Sequence, residues 1–200
     1  MKIVAIVVLA LPAFAAGIVP AWHGLESPPG VASSRSSQER EFRWEGRLAG
    51  GQEIEVVGVN GEVQASTAPG ETVVVRAVKR ARRSDPETVR IEVVQHAGGV
   101  TICALYPSKK GGPNECRPGG ATQNRVEDND VQVDFTVQVP SGVGFVGRTV
   151  NGGIAATGLR GTVEAYTVNG GVEVGSSESA SAETVNGSIT ASVGRGDWSG

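Results

Sequence analysis

Apolar and polar residues alternate along most of the chain from residue 41 onward, which is typical of half-buried β-strands. The longest run spans residues 131–139, where Val or Phe occupies every second position. No segment sustains the 3.6-residue period of an amphipathic helix. The pattern therefore predicts an all-β fold. Shorter runs of the same kind occur at 42–44, 54–59, 63–65, 72–78, 89–93 and 100–104.

Residues 1–15 depart from this pattern and are typical of a signal peptide. Lys2 supplies a positive charge, Ile3–Leu11 is apolar, and Ala13-Phe14-Ala15 is a small-x-small cleavage site. Residues 16–40 are rich in Ser, Pro and Gly and have no apolar periodicity, which predicts a flexible tether. We expect an exported protein, located in the periplasm, on the cell surface or in the medium.

An uncleaved N-terminal membrane anchor is the alternative for the same segment. Residues 3–22 carry no charge, and a stretch of about 20 apolar residues is long enough to span a bilayer. Pro12 and Pro20 count against a continuous helix through it. The small-x-small site favours cleavage, so we expect the chain to be cut after Ala15.

A short repeat occupies the C-terminal part of the chain. Asn-Gly preceded by Val occurs four times, at Asn60-Gly61, Asn151-Gly152, Asn169-Gly170 and Asn186-Gly187. In the last three copies Thr precedes the Val, and Gly or Ser followed by Ile or Val comes after. Their asparagines are 18 and then 17 residues apart. Regular self-similarity of this kind indicates a repeat architecture.

Two structures could use this repeat. We expect a β-solenoid, a β-helix-like stack of 17–18-residue coils over 148–200, preceded by antiparallel or irregular strands over 41–147. Stacked coils place equivalent asparagines about 4.8 Å apart, where their amides can form a hydrogen-bonded ladder. The alternative is a β-meander in which each Asn-Gly is a type I′ hairpin turn. Alternation breaks between Thr167 and Val168, which predicts a corner or bulge. The predicted core residues are Ile154, Ala156, Val163, Ala165, Val172, Val174, Ile189 and Ala191.

The chain stops at Gly200 within what resembles a further unit, and no polar cap is visible there. An uncapped strand edge invites pairing with another chain. We therefore expect either that the repeat region is truncated at Gly200 or that another copy covers its open C-terminal edge.

Composition narrows the classes of protein that fit. Aromatic residues make up 4% of the chain and Gly contributes 29 residues, so small and β-branched side chains must fill the core. The formal net charge of −3 argues against a nucleic-acid partner. Cys103 and Cys116 are the two cysteines, and in an exported protein they predict one disulfide. A Cys₂ metal site is the alternative, but it lacks the further ligands that zinc requires.

Other polar motifs give little sign of chemistry. The basic run 79–86 indicates a solvated turn, with contact to an anionic surface as the alternative. The acidic run 127–130 enters a strand and is better explained as a turn than as a Ca²⁺ site. His23 and His96 have no nucleophile partner in a recognisable motif. Arg195-Gly196-Asp197 matches the integrin-binding tripeptide, a match that Gly-rich chains produce by chance.

These observations predict a module that is not an enzyme and uses no catalytic residue, cofactor or metal. Its expected role is structural or adhesive. The sequence does not identify a partner, and the two candidates are a cell-surface polymer and another copy of the chain. The alternatives are a carbohydrate-active β-helix enzyme similar to polysaccharide lyases, or an envelope-stress accessory protein. A lyase requires clustered carboxylates beside a basic residue, and no such cluster is visible within the repeats.

The repeats and the strands before them together resemble the putative adhesin family of bacterial envelope proteins. The resemblance rests on the Thr-Val-Asn-Gly units, on Val139-Pro140-Ser141-Gly142-Val143, and on the segments 54–65 and 102–107, and it covers residues 42–200. It implies an exported, repetitive β domain with a β-helix-like fold and a role in surface adhesion. It transfers no catalytic or binding residues.

Overall fold

The computed structural model describes residues 40–108, 112–119, 125–176 and 178–194. The predicted signal peptide, nearly all of the predicted tether, and the segment 195–200 with its Arg-Gly-Asp tripeptide lie outside the described residues. Within the described part, no helix has the length and apolar character needed to cross a membrane.

β-Strands are the main secondary structure of the described residues, which otherwise consist of loops and turns and one short 3-10 turn at Pro86–Thr88. The prediction of an all-β fold is confirmed. The strands are β1 Glu41–Gly46, β2 Glu53–Val57, β3 Val63–Thr67, β4 Val73–Arg80, β5 Arg90–His96, β6 Gly99–Leu105, β7 Gln132–Val139, β8 Gly144–Arg148, β9 Ile154–Leu159, β10 Val163–Asn169, β11 Val172–Ser176, β12 Ala180–Asn186 and β13 Ile189–Val193.

These strands form two mixed sheets. The first sheet has the order β1-β4-β7-β3-β9-β11-β13, and the second has the order β12-β10-β8-β2-β6-β5. The pairs β1–β4, β4–β7 and β5–β6 are antiparallel. All other pairs are parallel, including those of β2 and β3 with their neighbours. Part of the region 41–147 is therefore parallel, where the sequence predicted antiparallel or irregular strands.

Each Val-Asn-Gly motif joins a strand of the second sheet to a strand of the first. We call such a pair of strands a unit: unit 1 is β2–β3, unit 2 is β8–β9, unit 3 is β10–β11 and unit 4 is β12–β13. Equivalent strands of successive units pair in parallel and in register, as Val63, Ile154, Val172 and Ile189 show. The chain turns between sheets at the motif, which explains why the alternation breaks there.

The hairpin alternative is wrong. A type I′ turn requires positive φ at both central residues and joins two strands that pair with each other. The strands that flank each motif lie in different sheets. Of the described non-glycine residues, Asp128 alone has positive φ, so none of the four motif asparagines adopts that conformation.

The core lies between the two sheets and is built from the inward residues of both. Val and Ala dominate it, and Phe135 and Phe145 are its largest fully buried side chains. Six of the eight predicted core residues of the repeats are buried there. Ile189 is 47% exposed and Ala191 is also exposed, because β13 is the outermost described strand of the first sheet.

Candidate functional site

The four motif asparagines form a continuous ladder along one edge of the stacked units. Asn151 Nδ2 donates to Asn60 Oδ1 at 2.9 Å, Asn169 Nδ2 donates to Asn151 Oδ1 at 2.8 Å, and Asn186 Nδ2 donates to Asn169 Oδ1 at 2.9 Å. Backbone bridges join the same residues from unit 1 to unit 3. Asn60 therefore belongs to the same ladder as the C-terminal repeats, although 91 residues separate it from Asn151.

The Thr and Gly residues of the motif also form contacts between neighbouring units. The hydroxyls of Thr167 and Thr184 donate to the carbonyl oxygens of Gly152 and Gly170, at 2.9 and 3.0 Å. A Cβ on Gly152, Gly170 or Gly187 would overlap the carbonyl oxygen of the motif glycine one unit earlier. The motif therefore consists of residues that let neighbouring backbones approach closely.

Three of the four motif valines point outward and form what we call the valine ridge, composed of Val150, Val168 and Val185. They are 36%, 37% and 68% exposed, whereas Val59 of unit 1 is buried. A groove of about 310 Å³ separates the ridge from the outward side chains of the second sheet. That volume is at the low end of the range for small-molecule pockets, roughly 300–1,000 Å³.

The other side of this groove carries charged and aromatic side chains, namely Arg148, Tyr166 and Glu183 from adjacent strands. A groove of about 330 Å³ on the first sheet is lined by aliphatic, small polar and acidic residues, and no basic or aromatic side chain contributes to it. The groove beside the valine ridge is therefore the better candidate for recognition of a ligand.

Glu55 of β2 is only 1% exposed and pairs with Arg148, which lines this groove. Its Oε1 accepts from Arg148 Nε at 2.9 Å, and its Oε2 accepts from Thr101 Oγ1 at 2.9 Å and from Gly119 N at 3.0 Å. Burial of a carboxylate is costly unless it is paired and hydrogen-bonded. These three partners satisfy that requirement and hold Arg148 in one orientation.

Arg148 extends the charge pair toward the open part of the sheet. Its guanidinium lies 4.1 Å from the centroid of the Tyr166 ring, which is a cation–π contact. Tyr166 donates its hydroxyl to Glu164 Oε2 at 2.9 Å, and this bond raises the pKa of Tyr166. Burial raises the pKa of Glu53, and the nearby carboxylates of Glu55 and Glu164 raise it further. Acidic side chains therefore surround a single oriented guanidinium.

The disulfide attaches the loop that follows β6 to the second sheet. Cys103 and Cys116 are joined with a Cα–Cα distance of 5.6 Å, and both are buried. Neither thiol is left to bind a metal. Gly119 of the same loop donates its backbone N–H to Glu55. The disulfide therefore helps to hold one hydrogen-bond donor against the buried carboxylate.

Two buried polar side chains fasten the ends of this loop. Asn114 Nδ2 donates to the carbonyl oxygens of Tyr106 and Arg125 at 2.8 and 2.9 Å. Tyr106 donates its hydroxyl to Val131 O at 2.7 Å, and burial raises the pKa of Tyr106 to about 12. The loop is therefore held at its start, its middle and its end.

The basic run is largely neutralised within the molecule. Lys79 is buried and forms an ion pair with Glu87 at 2.9 Å. Arg80 pairs with Asp134 at 2.8 Å, and Arg83 lies 3.7 Å from Asp130. These partners favour the interpretation of the run as a structural turn over contact with an anionic surface.

Within the acidic run, Asp130 fastens this basic turn. Its carboxylate accepts from Ser84 N at 2.8 Å and from Arg83 N at 3.1 Å. The hydrogen bonds from Ser84, followed by those from Arg83 and Arg82, lower the pKa of Asp130 to about 2. In the part of the chain that the structure describes, no group of three or more His, Cys, Asp or Glu side chains could hold a metal ion.

Sequence reasoning missed the cluster around Glu55. His96 Nε2 lies 3.2 Å from Thr101 Oγ1, which connects it to Glu55, and His23 lies outside the described residues. Glu55 and Arg148 are 93 residues apart, and each occupies an ordinary outward position of an alternating strand. Only the parallel pairing of β2 with β8 brings them together, so no local signal could have revealed the pair.

Comparison with known proteins adds little. No family model matches the chain, and no curated protein matches it. The chain is similar to a solved structure described as a putative cell adhesion protein from Clostridium sporogenes ATCC 15579, with 9% identity and a TM-score of 0.36. The match covers 76% of this chain and 98% of that chain. A likeness this distant does not establish a family or a function for this chain, and the resemblance to the putative adhesin family stays a prediction.

Proposed function

We propose that the four units form a β-solenoid and that this protein is an exported, non-catalytic module of the cell envelope or surface. In this proposal the groove beside the valine ridge binds a cell-surface polysaccharide. The observation that carries the proposal is the asparagine ladder, which joins residues 60, 151, 169 and 186 in one line. A repeated edge of this kind presents the same groups at regular intervals along the molecule.

Parallel pairing supports the solenoid. Each unit contributes one strand to each sheet, and the units follow one another in the same direction in both sheets. A stack of this kind makes each unit contact mainly its neighbours, as in other repeat proteins. The close contacts at the motif glycines explain why glycine recurs at this position of each unit.

The buried disulfide supports export. Disulfides persist in oxidising compartments and are rare in the cytosol, where thiols are kept reduced. Loss of the Cys103–Cys116 bond would release the loop that supplies one of the three partners of Glu55. A chain with this arrangement fits the periplasm or the cell exterior best.

The lining of the groove supports a polysaccharide as the partner. Sugar rings offer apolar faces together with many hydroxyl groups, and binding sites for them combine apolar surface with fixed polar groups. The valine ridge and the Tyr166 ring supply apolar surface, while Arg148 and Glu183 supply a donor and an acceptor. Glu55 is fully occupied by its three partners, so its role in this proposal is to orient Arg148.

Two measurements on the full chain test the proposal. Fractionation of cells should place the protein outside the cytoplasm with both cysteines oxidised, and recovery from the cytosol with free thiols would contradict export. Purified wild-type protein should bind insoluble cell-wall polysaccharide, and Tyr166→Ala should weaken that binding about tenfold, which corresponds to about 1.4 kcal/mol. Glu173→Ala, on the outer face of the first sheet, should bind like wild type.

A carbohydrate-active enzyme is the second candidate, and one observation favours it. The charges of Glu164 and Arg148 both act on the carboxylate of Glu53, and a lyase requires acidic and basic groups in such a combination. The test is release of unsaturated uronides from polysaccharide substrates. Turnover by wild type that Glu164→Gln abolishes would overturn the non-catalytic proposal. Asp130 is unsuitable for this test because it fastens a turn.

A further inference from the structure

The repeated Asn-Gly pair has a chemistry of its own. The backbone nitrogen of the glycine can attack Cγ of the preceding asparagine, which forms a cyclic succinimide and releases ammonia. Water then opens the ring and leaves either aspartate or isoaspartate. Glycine favours the attack because it has no side chain to obstruct the approach. The four motifs contain the same dipeptide, so differences in their reactivity must come from the fold.

In three of the four motifs the attacking nitrogen donates a hydrogen bond to the next unit. Gly61 N donates to Asn151 O at 3.0 Å, Gly152 N donates to Asn169 O at 2.9 Å, and Gly170 N donates to Asn186 O at 3.0 Å. Attack requires the nitrogen to leave this acceptor and the asparagine backbone to rotate. Both movements would break contacts between two units, so the stack opposes the reaction at these motifs.

Asn186 differs from the other three. Among the described residues, no acceptor receives a hydrogen bond from Gly187 N, and no donor reaches Asn186 Oδ1. The Asn186 side chain is exposed and makes a single hydrogen bond, to Asn169. We propose that Asn186 is a deamidation site, at which Gly187 N displaces the side-chain ammonia and water opens the resulting succinimide.

The product would disturb the whole ladder. Asn186 Nδ2 is the donor to Asn169 Oδ1, and an aspartate at this position would place a carboxylate oxygen against that acceptor. Asn169 could donate to the new carboxylate only if its amide flipped, which would withdraw its hydrogen bond from Asn151. The repulsion between the new carboxylate and Asn169 Oδ1 is therefore relieved only if the side-chain amides of Asn169, Asn151 and Asn60 flip together. A single modification would reverse the direction of the ladder over all units.

Peptide mass spectrometry of the aged full-length protein tests this proposal. After incubation at mildly alkaline pH, aspartate or isoaspartate should appear at Asn186 about tenfold faster than at Asn60, Asn151 or Asn169. The same chain unfolded in urea is the reference, since all four sites should then react at similar rates. Equal rates in the folded protein, or faster reaction at one of the other three sites, would overturn the proposal.

Hydrogen exchange gives a second readout that needs no variant. The Gly187 amide should exchange faster than the amides of Gly61, Gly152 and Gly170, because only these three donate to an adjacent unit. The Val172 amide donates to Ser188 O at 2.8 Å and should stay protected, which would show that the segment remains in place. Protection of Gly187 equal to that of Gly170 would count against the proposed site.

Discussion

At each motif glycine the backbones of two units approach so closely that a side chain has no room. We expect Gly152→Ala to lower the free energy of unfolding by about 1–3 kcal/mol, the usual cost of overpacking, because its Cβ would overlap the carbonyl oxygen of Gly61. Urea unfolding followed by circular dichroism measures the change. Gly70→Ala is the matched control, since nothing lies within 4 Å of a Cβ there, and it should stay within about 0.5 kcal/mol of wild type.

Removal of a buried charge should cost more than removal of an exposed one. Glu55→Ala leaves the Arg148 guanidinium without its carboxylate, and breaking a buried pair typically costs about 3–5 kcal/mol. Arg148 is 26% exposed, so we expect a loss near the lower end of that range. Glu45→Ala breaks an exposed pair with Arg43 and should cost less than about 1 kcal/mol. Equal losses in the two variants would contradict the proposed role of Glu55.

Asp130 should make stability depend on acid pH. Its folded pKa of about 2 lies below the ordinary value of about 3.9 for aspartate. A depressed pKa stabilises the fold above the unfolded value, and this stabilisation is lost as the pH falls toward the folded value. The advantage of wild type over Asp130→Asn in unfolding free energy should therefore be constant above about pH 5 and shrink toward pH 2. An advantage independent of pH would contradict this assignment.

Among the elements, the cystine loop depends most on a single covalent bond. The disulfide joins residues 13 apart in the sequence, and a closed loop of this length is worth about 3 kcal/mol by chain entropy. The double variant Cys103→Ala/Cys116→Ala should lose about that much in unfolding free energy. Dithiothreitol should lower the stability of wild type to a similar level and leave the double variant unchanged. If dithiothreitol also lowered the unfolding free energy of the double variant, reduction of this disulfide would not account for the loss in wild type.

At the scale of the whole molecule, the units should be removable one at a time. Asn151 and Asn169 are 18 residues apart, so deletion of residues 152–169 removes one repeat length, namely β9 of unit 2 and β10 of unit 3. Asn151 is then joined to Gly170, and β8 and β11 form a single unit across an intact Asn-Gly motif. We expect the shortened chain to fold, because the remaining strands keep their parallel register and nearest-neighbour contacts dominate repeat proteins. Cooperative unfolding and a retained β-sheet circular dichroism spectrum are the measurements.

Deletion of residues 152–160 is the control for that experiment. It removes about half a unit and would bring β8 directly to β10, two strands of the same sheet. The chain would then lack the strand that crosses to the first sheet, and we expect it to fail to fold. If both deletions fold equally well, the stack does not consist of the units defined above.

Much of the architecture could be predicted from the chain. The alternation over 131–139 corresponds to β7, and the repeated Asn-Gly pair marks the corner of each unit. Ile189 and Ala191 were predicted to be buried and are exposed. Apolar character specifies which face of a strand points inward, but burial also requires a neighbouring strand. The position of a strand in the sheet order therefore decides whether its apolar residues are buried.

The sequence by itself determined the all-β class and the spacing of the last three motif asparagines, because alternation and repeat length are properties of neighbouring residues. Tertiary structure alone decided the cluster of Glu55, Arg148 and Tyr166. These residues come from three strands, and the parallel register that aligns them depends on the packing of the whole core. A charged residue at an outward strand position has the same local pattern whether it faces water or a partner distant in the chain.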